Sequence, residues 1–485
     1  MLLTDDHFIS YQRCQRRAFL EVLGEPTDRV PPSDYLLKLI ADSRQHRQQV
    51  LAQYDAVKPT YPMGDKLAAA TATAALMQEG TPIIQGGVLA GQTLQGITLT
   101  SAPDLLVRQP GTSNWGEWVY VPVQMRLGRR PKLEYQLTTA YQAHVLAQVQ
   151  GVEPPEAWLM LRDRGRYAVT LAERLPQMQE LLHACLDLFA TQREPEVFIA
   201  RNRCNLCQWF NACYSHAQAQ QHLSLLPGVT PKRYAALKSI NVTTLESLAA
   251  TSSQTLLRLP GIGEDVAYKL VRQARSTLQN RPLLADWPEA IPPTASVELY
   301  FDIEAQPDLN LAYLHGVWVV DRSSQAPTFH AFLAEQPAQE AQVWQQFLDL
   351  VLSYPDAPIF HFCTYEADTI KRLARLYGTD ARVTKRILRR CIDIHEWVTE
   401  TVTLPVESYA LKPIARWLGF QWRDSDANGA QAIYWYEQWL KTGERHFLDS
   451  IVSYNEDDCR ATHHVKAWLT EFLTAALDTP LQQAE

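Results

Sequence analysis

From residue 296 the apolar positions fall into short runs separated by turns, and then into a long helical pattern. The runs predict strands at 297–303 and 312–320, a helix at 338–353, a strand at 358–362 and mostly helix after that. Upstream the pattern differs. Helical periodicity marks 34–53 and 134–149, and strand-like runs follow a Gly-rich stretch at 86–91 and lie around 103–108 and 117–125. Residues 223–280 read as short helices broken by two glycine-containing turns. Asn280-Arg281-Pro282 through Ile291-Pro292-Pro293 reads as a Pro-rich linker, the clearest boundary along the chain. The expectation is a multidomain α/β protein: an α/β domain over 1–222, a helical segment over 223–280, a linker over 281–295, a second α/β domain over 296–472 and a frayed tail over 473–485.

Composition narrows the class. The 485 residues are 46% hydrophobic, enough for several cores rather than a disordered chain. No stretch reaches the roughly 18 apolar residues of a membrane span, and no signal-peptide pattern opens the sequence, so a cytoplasmic protein without membrane partners is expected. Eight cysteines in so long a chain do not suggest a secreted disulfide framework. The net charge of −8 argues against indiscriminate polyanion binding and leaves room for local basic patches.

The apolar run Leu299-Tyr300-Phe301 leads into Asp302-Ile303-Glu304. Side chains alternate along a strand, so these two acids share a face. Near the C-terminus, Tyr454-Asn455-Glu456-Asp457-Asp458 lies in a helical stretch, where Tyr454 and Asp458 share a face at i and i+4. A third acid follows the strand Pro358-Ile359-Phe360-His361-Phe362, at Glu366 or Asp368, and Asp393 is a further acid on a short apolar run. Converging acids of this kind suit two divalent ions that clamp the attacking and leaving oxygens of a phosphodiester displacement. Nearby, Lys371, Arg372, Arg375, Arg382, Lys385, Arg386, Arg389 and Arg390 form the densest positive stretch, either a solvated helix face or a phosphate-backbone contact.

Residues 297–470 resemble the Tyr-containing DEDD exonucleases of the RNase H-like superfamily. The resemblance implies Mg²⁺ or Mn²⁺ held by Asp302, Glu304, Glu366 and Asp458, with Tyr454 positioning the attacking water. Glu366 stands where that family usually has Asp.

In the middle segment, Leu259-Pro260-Gly261-Ile262-Gly263 followed by Val266-Ala267-Tyr268-Lys269-Leu270 matches the helix-hairpin-helix pattern, with a degenerate copy at Leu226-Pro227-Gly228-Val229. Glycine turns let backbone approach a phosphate, and the next helix offers unpaired N–H groups. Gly228, Gly261, Gly263 and Lys269 are the expected DNA contacts, helped by Lys232, Arg233, Arg272 and Arg275.

Cys204-Asn205-Leu206-Cys207 with Cys213 gives C-x₂-C-x₅-C, and Cys14 is the best fourth ligand; spacing alone suggests zinc. Cys185, Cys363, Cys391 and Cys459 read as buried thiols. One remote N-terminal cysteine plus a triplet resembles the iron–sulfur RecB-like nucleases, which implies a [4Fe–4S] cluster stapling a PD-(D/E)XK domain. His46 and Asp104 match that group's upstream His and first metal-binding Asp. Gln124 and Arg126 fall where its acid-x-Lys motif belongs, and Gln136 and Tyr141 resemble its helical Gln-Tyr motif. A neutral Gln binds a hard cation weakly and an Arg cannot act as a base, so this site is expected to be degenerate. Arg126, Arg129, Arg130 and Lys132 remain as a DNA-backbone surface.

The whole order resembles bacterial RecB-like putative nucleases that fuse these three parts. It implies a metal-dependent 3′–5′ exonuclease acting on DNA in preference to RNA, with a role in repair or recombination. Two other readings stand beside it: a catalytically weak DNA-binding scaffold with a structural cluster, and an RNA-processing exonuclease. Nothing in the sequence reads a 2′-OH.

Overall fold

The computed structural model describes residues 1–285, 290–324 and 326–478. Part of the expected linker, 286–289, and most of the expected tail, 479–485, therefore lie outside the described residues. The chain forms two compact units, Met1–His216 and Ala217–Glu485, dividing six residues before the expected position.

The first unit opens with β1 (Leu2–Leu3), α1 (Asp5–Arg13), α2 (Gln15–Leu23), α3 (Asp34–Leu51) and α4 (Lys66–Gln78). Strands β2 (Ile83–Gln85), β3 (Leu89–Leu94), β4 (Ile97–Ser101), β5 (Leu105–Ser113) and β6 (Gly116–Arg126) follow, then α5 (Leu133–Gln150), β7 (Trp158–Leu161), β8 (Gly165–Ala168), α6 (Leu171–Thr191), α7 (Arg201–Cys204) and α8 (Phe210–Ala219), which runs across the division. A five-stranded sheet has the order β2-β5-β6-β7-β8, parallel only at β6–β7, and a smaller sheet has the order β1-β4-β3. Helix α5 is buried along most of its length, and Leu137, Tyr141 and Leu146 form one core with Tyr120 of β6 and Leu186 of α6.

The second unit begins with four short helical elements: α9 (Pro231–Lys238), α10 (Leu245–Ala250), α11 (Ser253–Leu256) and α12 (Glu264–Gln279). Leu283–Leu284 form β9, which pairs with a later strand, so this part of the expected linker is built into the fold. Then come β10 (Val297–Gln306), β11 (Leu311–Asp321), β12 (Thr328–Leu333), α13 (Glu340–Ser353), β13 (Ile359–His361), α14 (Tyr365–Leu376), α15 (Ala381–Leu388) and β14 (Cys391–Asp393). The chain ends with α16 (Ile394–Thr401), β15 (Val402–Thr403), α17 (Leu411–Trp417), α18 (Gly429–Thr442) and the long α19 (His446–Leu477). A mixed sheet has the order β12-β11-β10-β13-β14, antiparallel through β10 and parallel beyond it.

Alternation along β10 divides two cores. Leu299, Phe301 and Ile303 pack with Phe347 of α13, Leu373 of α14 and Ile387 of α15. Tyr300 points the other way, into a core with Ile414 of α17 and Val465 and Leu469 of α19. The acids at 302 and 304 take the parity of Tyr300, which turns them toward α19. Lys466 of α19 donates to the buried Glu298 of β10 at 3.0 Å, and Tyr300 Oη donates to the same carboxylate at 2.6 Å. Removing one partner of such a buried pair costs roughly 3–5 kcal/mol, so this contact fixes α19 against β10.

Candidate metal centre

Asp302, Glu304 and Asp458 each present a carboxylate oxygen, all within 4.8 Å of one another, and no other such group of three His, Cys, Asp or Glu occurs among the described residues. Asp302 lies opposite Gly316 of β11, and a β-bulge follows Glu304. Glu366 enters from the first turn of α14, just past the end of β13, and is buried; Asp368 is exposed and pairs with Lys371 at 2.9 Å. Of the two candidates for the third acid, the fold turns Glu366 inward. One Glu366 oxygen, Oε2, is buried without a hydrogen-bond partner, 3.8 Å from His361 Nδ1. Asp393 is occupied elsewhere: its Oδ1 accepts from the Cys363 and His395 N–H groups at 2.9 Å each.

The electrostatics fit a cation cradle. Burial, then the charges of Asp458, Glu304 and Glu366, holds the Asp302 carboxyl well above the usual range. Burial and the charges of Asp458 and Glu366 do the same to Glu304. Burial pushes Glu366 up to about 8, with Asp393 and Asp458 adding to it. Asp458 is pushed up to about 6 by burial, against hydrogen bonds from Trp422 and Tyr454 that favour its ionised form. Carboxylates this close and this desolvated ionise together only when cations neutralise them.

Three residues without a motif signature complete the site. Asn455 donates to Asp302 Oδ2 at 2.6 Å. Trp422 Nε1 donates to Asp458 Oδ1 at 2.7 Å. The Lys412 ammonium lies 5.3 Å from the ring centres of both Trp422 and Tyr454 and donates to the Ala427 carbonyl. Asn455 sits in the acidic run itself, but Trp422 and Lys412 lie in another part of the chain and no spacing rule points to them. Glu456 and Asp457 leave the centre to pair with Arg423, at 3.0 and 2.9 Å.

The helical hairpins belong to the same unit. Gly228 and Gly261 take left-handed φ values of +83° and +77°, and open space surrounds Gly261 and Gly263. Lys269 is exposed, in an i,i+4 pair with Asp265. Three neighbouring cations are engaged within the fold, of which Arg272 is buried, Arg233 half-buried and Arg275 exposed. Arg233 donates to the carbonyls of Gly228 and Gly261, Arg275 to that of Ala249, and the buried Arg272 to Thr403 Oγ1 and the Ala285 carbonyl.

In the first unit, Asp104 is held by Arg47 Nε at 2.7 Å and the Met125 N–H at 2.6 Å. Gln124 is buried and accepts from Thr139 Oγ1, while Arg126 lies over the Tyr135 ring. His46 Nε2 is buried without a partner. Gln136 donates to the Pro131 carbonyl, and Tyr141 bridges the carbonyls of Leu3 and Thr100. Arg129 pairs with Asp163 on the surface, and Arg130 is exposed. Cys14 sits at the α1–α2 junction, Cys204 closes α7, Cys207 follows it and Cys213 lies in α8. All four are free and half-buried. Burial pushes the Cys204 thiol up to about 11, and the neighbouring Cys14, Cys207 and Cys213 add to it. Cys185 and Cys459 are buried as expected, whereas Cys363 and Cys391 are only half-buried.

Residues 299–470 match the sequence model of the RNase_H superfamily. This stretch is an RNase H superfamily domain. Residues 221–276 match the SAM-like helix-hairpin-helix tandem, and neither match extends into residues 1–220. No curated protein matches the chain. An RNase H superfamily domain beside a hairpin tandem is consistent with a nuclease that binds nucleic acid, and among the described residues no helix is long and apolar enough to cross a membrane.

Proposed function

We propose that the protein is a divalent-metal-dependent exonuclease that releases nucleotides from the 3′ end of DNA at the carboxylate cluster of its RNase H superfamily domain. The observation that carries this reading is the convergence of Asp302, Glu304 and Asp458 within 4.8 Å, with Glu366 in the same field. Their hard oxygen donors and raised proton affinities fit Mg²⁺ or Mn²⁺, and the unpartnered Glu366 Oε2 supplies a free ligand atom. Asp302, Glu304, Glu366 and Asp458 would hold such ions, which would supply Lewis-acid activation of the scissile phosphate.

The chain's own residues hold this geometry. Asn455 holds one carboxylate oxygen of Asp302 and Trp422 one of Asp458, which fixes the orientation of both groups. Burial and the surrounding carboxylates keep the Tyr454 phenol protonated, so it orients the attacking water rather than deprotonating it. The motif order, resembling Tyr-containing DEDD exonucleases, supports the 3′ polarity. The hairpin glycines with Lys269, and Arg129 and Arg130 in the first unit, serve DNA binding. Asp104, neutralised by Arg47 and flanked by Gln124 and Arg126, supports a retired cleavage site in the first unit. Four free thiols in one another's field support a [4Fe–4S] cluster, with zinc the alternative; either supplies cross-linking of the loops that carry them.

The test uses protein purified without oxygen, with end-labelled single-stranded DNA and RNA in Mg²⁺ or Mn²⁺. DNA shortening lost in Asp302→Ala and kept in Asp104→Ala is the expected result. Absence of cleavage by the wild type together with tight DNA binding overturns it in favour of a scaffold, and cleavage of RNA alone moves the substrate to RNA.

A further inference from the structure

We infer that a basic cavity between α14 and α15, remote from the carboxylates, is a second nucleic-acid site that grips the phosphodiester backbone of the strand being processed. This rests on the nuclease reading for its substrate but on separate residues for its existence.

The cavity measures about 490 Å³ and its wall carries Lys371, Arg375, Lys385 and Arg389 around an apolar floor of Ala374 and Leu388. Its charge is out of keeping with the rest of the chain. Residues 371–390 hold eight Lys or Arg and one acid, Asp380, in a protein of net charge −8. Asp380 is spent as the N-cap of α15, accepting from the Arg382 and Val383 N–H groups.

Not all eight cations are free. Arg372 pairs with Glu340 and donates to the Asn310 carbonyl, and Arg390 donates to the carbonyls of Val351, Tyr354 and Ala357. Lys371 makes an exposed pair with Asp368, which solvent leaves weak. Arg375, Lys385 and Arg389 are exposed, and among the described residues none has a carboxylate within ion-pair distance. Three unpaired cations gathered around one cavity repel one another, a cost that an anionic occupant removes. The fold supports the arrangement from beneath: Ile370 and Leu373 of α14 and Ile387 of α15 are buried in the core with β10.

A phosphodiester chain fits this wall better than a lone anion. The cations come from two helices and line an opening rather than converging on a point, and the apolar floor suits sugar or base. Position supports the same occupant. Glu366 and Arg375 stand nine residues apart on α14, about 14 Å along its axis. A strand with its end at the carboxylates reaches the cavity only when it is several nucleotides long. A dinucleotide with its end at the carboxylates stops short of Arg375.

Full-length protein in Ca²⁺, which holds off hydrolysis, is titrated with a labelled 20-nucleotide single strand by fluorescence anisotropy over a range of salt. The triple variant Arg375→Ala/Lys385→Ala/Arg389→Ala is expected to bind about tenfold more weakly, with a salt slope smaller by about 2, the loss of three phosphate contacts at ~0.7 each. Its hydrolysis of a dinucleotide in Mn²⁺ stays at the wild-type rate. The charge-retaining variant Arg375→Lys/Arg389→Lys keeps the slope, which separates lost charge from lost fold. Unchanged affinity and slope in the triple variant overturn the proposal, whatever the protein cleaves. Equal weakening for a free mononucleotide also overturns it, because the occupant is then the product and not the strand. A wild type that cleaves nothing, yet loses its slope in the triple variant, sinks the nuclease reading and leaves this site standing.

Discussion

Gly316 and Asn455 share one space: a Cβ on Gly316 would fall inside Asn455 Oδ1 and lie 2.8 Å from its Cγ. Gly316 is also the register partner of Asp302, and its carbonyl accepts from Cys459 Sγ at 3.4 Å. The missing side chain therefore lets α19 close on the sheet, and that closure brings Asn455 onto Asp302. Gly316→Ala is expected to cost ~1–3 kcal/mol by overpacking and to free Asp302. Thermal melts check it through a double-mutant cycle. Asn455→Ala placed on Gly316→Ala should restore most of the melting temperature without restoring cleavage. A Gly316→Ala protein with unchanged melting and activity disproves the close fit.

The raised carboxylates make a prediction about pH. An acid whose value is higher in the folded than in the unfolded state binds its proton more tightly when folded. Its contribution to stability is present at low pH and is lost as pH rises through that window. For Asp458 the window runs from about 4 to about 6 and for Glu366 from about 4 to about 8. Metal-free protein should thus lose stability from these groups between pH 5 and pH 8, and Mn²⁺ should raise the melting temperature more at pH 8 than at pH 5. Glu304→Gln should raise the metal-free melting temperature at pH 8, by ~2–4 °C per kcal/mol of repulsion removed, while abolishing cleavage. Equal metal-induced shifts at the two pH values would remove the basis for the cradle.

Sequence pattern made the acidic centre legible in part, and the physical reason is periodicity. Asp302 and Glu304 follow an apolar strand whose alternation fixes their common face, and Tyr454 and Asp458 follow helical spacing. Burial, which sequence states poorly, chose Glu366 over Asp368. Long-range contacts were invisible: Trp422 reaches Asp458 across 36 positions and Lys412 approaches from another helix. Gly316 did carry a readable signal, since a glycine inside a strand often marks a close backbone approach. Strand β12 escaped because Thr328–Leu333 is an edge strand with no fully buried residue. The middle cations are a different case. Arg233, Arg272 and Arg275 look like one basic patch in sequence, but each also donates to a carbonyl or hydroxyl of the fold, and Arg272 is buried there while Arg275 stays exposed.

Tyr454 separates orientation from metal binding. Its phenol stands one helical turn before Asp458 on α19, and Tyr454→Phe removes only the hydroxyl, so every carboxylate is expected to stay in place. The expected loss is ~10²–10³-fold in the single-turnover cleavage rate, with Mn²⁺ affinity by calorimetry within about twofold of wild type. Asp458→Asn should lose both. A Tyr454→Phe protein that cleaves at the wild-type rate removes the phenol from the mechanism.

Arg233 gives the sharpest contrast between a cation that binds DNA and one that builds the site for it. Its guanidinium donates to the Gly228 carbonyl at 2.8 Å and the Gly261 carbonyl at 3.4 Å, so one planar fork ties the two hairpin turns together. A lysine keeps the charge but offers a single ammonium where two separated carbonyls need donors. Arg233→Lys is therefore expected to weaken duplex DNA binding nearly as much as Arg233→Ala, and neither should change the salt slope. Lys269→Ala, at an exposed position on α12, is expected to lower the slope by about 0.9, the signature of one lost phosphate contact. Salt titrations of the three variants check the assignment. Full rescue by Arg233→Lys would instead make Arg233 a phosphate ligand and leave the hairpins tied by packing alone.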